Sequence, residues 1–400
     1  MPPRMADRPV LQMRSDLSRV MASAAARERA GQAVLHLERG EPDFDTPPHI
    51  VEALAAAARA GETRYPDFRG SRPLREALVE KLARENGIRC EPDDVVVTHG
   101  GTQALFLAFQ ALLAPGDELL MLSPYWMLIP SIVSLVDGVG CRAVPAYLEL
   151  QSGAWTPADL GARLRVAVGP RTRCLYVNTP NNPTGAVLTR EQLQAIADVA
   201  LERDLWVVSD EAYEHLLFDG ARHVSIASLA GMAERTVGAY TFSKSYAMTG
   251  WRVGYAVSPP ALRPVMGPIL NLYSTHGVFP AVQSAARAAI VQSQACVESM
   301  RRAYEERRDL LLSGLERQDA IRVPKPSGAF YAFANVSRAR GERGLGELLE
   351  EWLDLGVAVL PGTAFGPDHR DWVRLSLAVP REQVAEAVRR LRGRYAGVRA

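Results

Sequence analysis

The sequence predicts an α/β fold: a mostly parallel seven-stranded sheet with helices on both faces, followed by a smaller α+β unit. Three observations predict it. Between residues 95 and 257, short β-branched or apolar runs alternate with helical stretches, the βαβ pattern of a parallel sheet. The last two of these runs, 236–241 and 252–257, are joined too closely for a helical crossover, so at least one strand is antiparallel. Beyond about residue 285 the texture changes to a long charged helix and a few short strands.

In chain order, 1–14 reads as a loose arm, 17–31 as a helix and 33–37 as a short strand. Residues 40–48 (Gly-Glu-Pro-Asp-Phe-Asp-Thr-Pro-Pro) are too rich in turn formers for regular structure. An alanine-rich helix covers 53–60. Ser71-Arg72-Pro73 opens another helix with proline in its first turn, and Asn86-Gly87 closes it. Strand candidates follow at 95–98, 118–122, 141–145, 173–177, 205–209, 236–241 and 252–257. Thr189, with Gln192 three residues on, forms a capping box that starts the helix before the fifth strand. The second unit reads as helix 296–318, strand 329–334, helix 346–355, strand 357–360, strand 372–378 and helix 381–394. Four hundred residues exceed one ordinary core. The expected division is an arm (1–45) packing with the small unit, a large unit (46–285) and a small one (286–400).

Composition narrows the function. Lys and Arg total 46 against 45 for Asp and Glu, a net charge of +1, which argues against an electrostatic nucleic-acid or membrane-surface binder. Cys90, Cys141, Cys174 and Cys296 are scattered without metal-ligand spacing, so no metal is expected and the pattern is that of a reduced compartment. No apolar run reaches membrane-spanning length and the first residues lack a signal-peptide core, so the expected location is the cytoplasm.

Ligands of parallel sheets bind at the carboxyl ends of the strands. After the first strand, Gly100-Gly101-Thr102 opens a helix whose N-terminal amides and dipole suit a phosphate. Trp126 follows the second strand, and its ring is able to stack on a planar group. The turn 178–185 holds Asn182. The next strand delivers Asp210 and then Tyr213. Lys244 stands between Ser243 and Ser245, where partial burial lowers an amine's pKa and frees a nucleophile. Arg252 supplies a fixed charge for a phosphate. Singly, these have ordinary readings: a helix start, a core aromatic, a tight loop, a helix cap, a solvated lysine. Jointly they make a phosphate site, a stacking ring, a donor pair for a phenolate oxygen, a carboxylate for a pyridinium nitrogen and a Schiff-base lysine. The dinucleotide-binding and P-loop fingerprints are missing.

The motifs Asn-Asn-Pro-Thr-Gly (181–185), Ser-Asp-Glu-Ala-Tyr (209–213) and Ser-Lys-Ser-Tyr-Ala-Met-Thr-Gly-Trp-Arg-Val-Gly-Tyr (243–255) occur in this order. The chain resembles the fold-type I pyridoxal-phosphate enzymes of the class I/II aminotransferase family, and within it the prokaryotic aspartate aminotransferase-like subgroup. The resemblance spans residues 40–374. It implies pyridoxal 5′-phosphate as cofactor, with Lys244 as the internal-aldimine lysine and proton-shuttling base. It also implies Asp210 on the pyridinium nitrogen, Tyr213 and Asn182 on the phenolic oxygen, and Trp126 on the ring face. Ser243, Arg252 and the Gly101-Thr102 turn correspond to phosphate ligands. Tyr65 corresponds to a tyrosine reaching the phosphate of a neighbouring subunit, which implies a homodimer with shared active sites. Arg374 and the Gly40 backbone correspond to the grip on the substrate α-carboxylate, with Trp126 and Asn182 beside the substrate.

The implied reaction moves an amino group from an L-amino acid to a 2-oxo acid by a ping-pong route through a pyridoxamine form. The alternatives are another pyridoxal-phosphate activity on the same scaffold (β-lyase, amino-acid oxidase or cyclase) and a sensor domain of a transcription regulator; the segment before Gly40 is too short for the DNA-binding module the last requires. Three places depart from the family pattern: His99, Thr241, and 14–18 where relatives carry Pro-Ser-x-Thr. The loop 271–277 holds no arginine for a second carboxylate. The amino donor stays open among aspartate, aromatic, basic and small neutral amino acids.

Overall fold

Apolar runs buried on both faces are the mark of a parallel sheet, and here they become its strands. The computed structural model describes residues 15–316 and 319–395; the arm expected at 1–14 lies outside them. A two-residue strand, β1 (Leu35–His36), is followed by β2 (Val95–Thr98), β3 (Glu118–Ser123), β4 (Gly140–Pro145), β5 (Thr172–Asn178), β6 (Trp206–Asp210), β7 (Thr236–Thr241) and β8 (Gly254–Val257). The last seven form one sheet in the order β2-β8-β7-β6-β5-β3-β4. Strand β8 runs antiparallel to both neighbours and every other pairing is parallel, as the short β7–β8 connection requires. Side-chain alternation feeds two helical layers. Leu119 and Met121 pack with helices Gly101–Leu112 and Arg263–Ser274, and Leu120 and Leu122 with helix Arg190–Glu202. That last helix starts at the expected capping box, with reciprocal bonds between Thr189 and Gln192.

The second sheet is built from β9 (Tyr331–Asn335), β11 (Leu360–Pro361) and β12 (Trp372–Ser376), in the antiparallel order β11-β12-β9. Between them, β10 (Val357–Ala358) pairs in parallel with β1. The single strand expected at 357–360 is therefore two, divided at Val359, because each half serves a different partner. Helices Ala295–Leu315, Leu345–Asp354 and Arg381–Tyr395 enclose a core around Trp352, Leu311 and Leu391, and Val20, Ala24, Leu35 and Leu37 from the chain's first part belong to it. The expected division at 285/286 falls inside helix Pro280–Val291, whose Ala285, Ala286 and Ala289 pack with Val95 and Tyr255 of the first sheet. Helix Ala295–Leu315 begins in that core at Val297 and belongs to the second core from Met300 onward.

The carboxyl ends of β2, β3, β5, β6 and β7 share one edge of the large sheet. Strand β8 returns from that edge with Gly254 wedged against it: a Cβ there would stand 2.6 Å from the Tyr240 carbonyl oxygen and 2.8 Å from the Gly101 nitrogen. These are backbone atoms with no room to give. Gly254→Ala is expected to cost about 1–3 kcal/mol of stability, seen as a lower denaturant midpoint. Gly250→Ala, where the added methyl meets nothing within 4 Å, is expected to unfold like the wild type.

Candidate active site

Strand β7 ends at Thr241, and the turn after it carries Lys244 into a cavity of about 580 Å³ at the sheet edge. The Lys244 ammonium donates to the Gly40 carbonyl (2.8 Å). Burial pulls its pKa down to about 8; Glu41 nearby opposes the shift, and the positive charges of Arg374 and Arg252 add to it. Roughly a tenth of the amine is thus neutral at pH 7, against under about a thousandth for an ordinary lysine, and the neutral amine is the form a nucleophile or base requires.

Beside Lys244, β6 ends at Asp210. Burial raises this carboxyl to about 6, against the stabilising bonds from the Tyr176 hydroxyl (2.7 Å) and the Ala212 amide (3.3 Å). Tyr213, one turn on, is buried, and its hydroxyl lies 3.1 Å from that of Tyr331. Asn182 accepts a bond from Arg374 Nη1 (3.1 Å), and Arg374 Nη2 donates to the Glu38 carbonyl (2.7 Å). The Arg374 guanidinium lies over the Tyr331 ring, 4.2 Å from its centroid, and its buried Nε has no partner among the described residues. A buried cation with an unused donor calls for an anion.

A second anion subsite stands at the start of helix Gly101–Leu112. Gly100 has φ +82° and precedes it, and a Cβ there would come within 2.7 Å of Arg252 Nη2. Only glycine lets this guanidinium lie against the helix N-terminus. Arg252 is held by the carbonyls of Thr249 (2.9 Å) and His99 (3.2 Å). Thr241 Oγ1 donates to Ser243 Oγ (2.9 Å), so the threonine standing where serine is commoner keeps a hydroxyl in the turn. The cradle of Gly101, Thr102, Ser243 and Arg252 fits a phosphate, and the amine, carboxyl and phenol beyond it fit the aldehyde, ring nitrogen and ring oxygen of pyridoxal 5′-phosphate.

Gly40, Gly101, Thr102, Trp126, Asn182, Asp210, Tyr213, Ser243, Lys244, Arg252 and Arg374 all line this one cavity. Tyr65 does not: it is 81% exposed and stacks on His276, with ring centroids 4.0 Å apart. The cavity also holds residues that motif reading passes over. Tyr331 and Asn178 line it, Met21, Leu105, Met127, Leu128 and Leu360 add apolar surface to the lining, and Glu38, Arg39 and Glu41 line it as well. Tyr176 was discoverable, because the two-residue period of β5 sets it on the same face as Asn178. The wall residues carry no motif.

The depressed Lys244 pKa has a consequence for the apoprotein. Below pH 8 the folded and unfolded states both hold the proton; between about 8 and the ordinary 10.5 only the unfolded state does, so this group's contribution to stability rises with pH across that window. Lys244→Met removes the burial cost. The variant is expected to exceed the wild type by about 1–2 kcal/mol at pH 7.5 and to lose most of that lead by pH 10, measured by urea titration of both apoproteins.

The family model "Aminotransferase class I and II" matches residues 32–391. The aspartate/prephenate aminotransferase of Thermus thermophilus is 42% identical, over 93% of this chain and 93% of its own length. An arginine–pyruvate transaminase of Pseudomonas aeruginosa is 38% identical, over 92% of this chain and 91% of its own. Among solved structures, Thermus thermophilus aspartate aminotransferase with maleate superposes with TM-score 0.87 at 40% identity, covering 97% of this chain and 99% of that one. The aromatic aminotransferase of Pyrococcus horikoshii gives 0.84 at 38%, covering 92% and 97%. The chain belongs to the class I and II aminotransferase family, and is a pyridoxal-phosphate-dependent enzyme that transfers amino groups between amino acids and 2-oxo acids.

Proposed function

We propose that Lys244 carries the cofactor and then acts as the base at the substrate Cα, while Arg374 grips the α-carboxylate. One observation carries this reading: the two cations are fixed by carbonyls only two residues apart, Gly40 and Glu38, on the wall of a single cavity. When bound, pyridoxal phosphate supplies an electron-withdrawing ring that stabilises negative charge at Cα. Asp210 holds the ring nitrogen, with Tyr176 and the Ala212 amide fixing both carboxyl oxygens so that it cannot turn away. Tyr213 and Asn182 address the ring oxygen, Trp126 covers a ring face, and Gly101, Thr102, Ser243 and Arg252 anchor the phosphate by charge-assisted bonds. A substrate carboxylate would take donors of Arg374 that the Glu38 carbonyl leaves free, the unused Nε among them, in the fork geometry an arginine favours. Lys244, deprotonated and shielded from water, would take the proton from the substrate Cα, hold it on Nζ and deliver it to the cofactor's former aldehyde carbon rather than back to Cα.

The apolar lining residues Met21, Leu105, Met127, Leu128 and Leu360 favour amino donors with large apolar or aromatic side chains. Arg39, at the rim, is the cation within reach of a longer acidic donor. The relatives named for aspartate, prephenate, arginine and aromatic substrates span that range. We further propose a homodimer. Tyr65, Leu272, Tyr273 and Phe279 are exposed together with the Tyr65–His276 stack, and Tyr65 serves the partner's phosphate site. We place the two-unit division at 297–300 in preference to 285/286, a reading supported by the passage of helix Ala295–Leu315 from one core to the other. The scattered cysteines, none of them bonded in the structure, support a cytoplasmic location; no helix among the described residues is long and apolar enough to cross a membrane.

The test is a screen of the holoenzyme with amino donors and 2-oxo acid acceptors, resolving the new amino acid by chromatography. Transfer is expected to be fastest with aromatic donors. Release of ammonia and pyruvate without an acceptor is the outcome that overturns the reading. Arg374→Ala is expected to raise KM for every donor about 100-fold while the cofactor absorbance stays in place. Mixing inactive Lys244→Ala and Tyr65→Ala proteins is expected to restore activity through hybrid dimers.

A further inference from the structure

We infer that Tyr331 is a positioning residue that couples the carboxylate grip to the ring-oxygen contact. Three observations meet on this side chain, which stands at the first position of β9 and is buried. Its ring carries the Arg374 guanidinium, 4.2 Å from the centroid. Its hydroxyl lies 3.1 Å from the Tyr213 hydroxyl. The same hydroxyl abuts Gly40, where an added Cβ would come within 2.6 Å of it, and Gly40 is the residue whose carbonyl holds Lys244. The register explains the convergence. Strand β12 sets Arg374 opposite Phe333, so Tyr331, two residues along on the same face, is its diagonal neighbour.

Donor counting gives the coupling a direction. A phenol has one proton to donate. When Tyr331 donates to Tyr213, the Tyr213 proton is left for an acceptor on the cavity side. Without the Tyr331 hydroxyl, that pre-orientation is gone. The ring contributes separately, since the face of a desolvated aromatic attracts a guanidinium and fixes its plane. One side chain thus orients both the carboxylate fork and the phenol, through different atoms.

Different atoms permit a divided test, which rests on the roles proposed for Arg374 and Tyr213. Tyr331→Phe keeps the ring and removes the hydroxyl. It is expected to shift the midpoint of the pH-dependent cofactor absorbance of the holoenzyme, without substrate, by roughly half a unit to one unit, in line with the loss of one hydrogen bond. Its Kd for maleate, an unreactive dicarboxylate, is expected to stay within about twofold because the π face remains. Tyr331→Leu removes both and is expected to shift the absorbance midpoint similarly and to weaken maleate about tenfold. Near-UV and far-UV spectra of each variant establish that it is folded, and Tyr331→Phe decides the hydroxyl half even when Tyr331→Leu does not fold. An unchanged midpoint in Tyr331→Phe overturns the coupling. Arg374→Ala separates the two levels: maleate binding lost in Arg374→Ala but retained in Tyr331→Leu refutes only this inference, whereas binding retained in both refutes the assignment of Arg374.

Discussion

Two carbonyl oxygens, those of Glu38 and Gly40, hold the two cations around which the site is arranged. One takes Arg374 from the second sheet and the other takes Lys244 from the first. The stretch that presents them is itself stapled into the second unit. The Leu37 amide donates to the Ala358 carbonyl (3.0 Å), and the Ser376 amide donates to the Leu37 carbonyl (2.7 Å). A segment with almost no regular structure therefore fixes the spacing between the amine and the guanidinium. Main-chain acceptors suit this task because they neutralise no charge. Each cation is oriented while its charge stays available to a substrate anion.

The turn that carries Lys244 is costly to form. Ala247 (φ +51°) and Arg252 (φ +54°) both occupy the left-handed region that non-glycine residues avoid, at roughly 1–3 kcal/mol each. Packing offsets this: Phe242, Tyr246, Met248 and Val253 from the same segment are all buried in the core shared by helices Pro48–Arg59 and Arg72–Lys81. The apolar residues of the motif and its polar ones divide the work. The first fix a strained backbone, and the second are aimed into the cavity by it.

The strands were legible because buried parallel strands leave uninterrupted apolar runs, and the residues following them sit at one edge by topology alone. That suffices to bring nine of the eleven scattered residues to a common wall, whereas Gly40 and Arg374 reach it from outside the large sheet. Helices Arg263–Ser274 and Pro280–Val291 were not legible. The first of them runs through Ser274 into the segment 271–277 expected as a loop, and Pro264 and Pro280 stand in first turns, where a missing N–H costs nothing, while Pro268 is accommodated inside its helix. Tyr331 was hidden for another reason. Within Ala-Phe-Tyr-Ala-Phe-Ala it reads as core, and its contact with Arg374 depends on the pairing of β9 with a strand distant in sequence. Local pattern reports which residues are buried. Only the register reports what they face.

Register also bears on substrate choice. Arg374 is held by backbone, by Asn182 and by an aromatic face, and its cross-strand partner in β11 is Leu360, one of the apolar residues that line the cavity. On the proposed reading, the grip on the carboxylate common to all amino acids and the surface that meets their side chains are therefore neighbours at Leu360. An apolar wall discriminates weakly, about 1–3 kcal/mol per methylene, whereas an unpaired buried charge rejects a mismatched ligand far more strongly. A site whose arginine fork and amine act on the common part of the substrate, and whose variable part meets methionine and leucine, on that reading suits a range of donors. On the same reading, selectivity among them follows from size and from Arg39, so that changing a lining residue away from Arg374, such as Met127, alters the donor without disturbing the amine, the fork or the phosphate cradle.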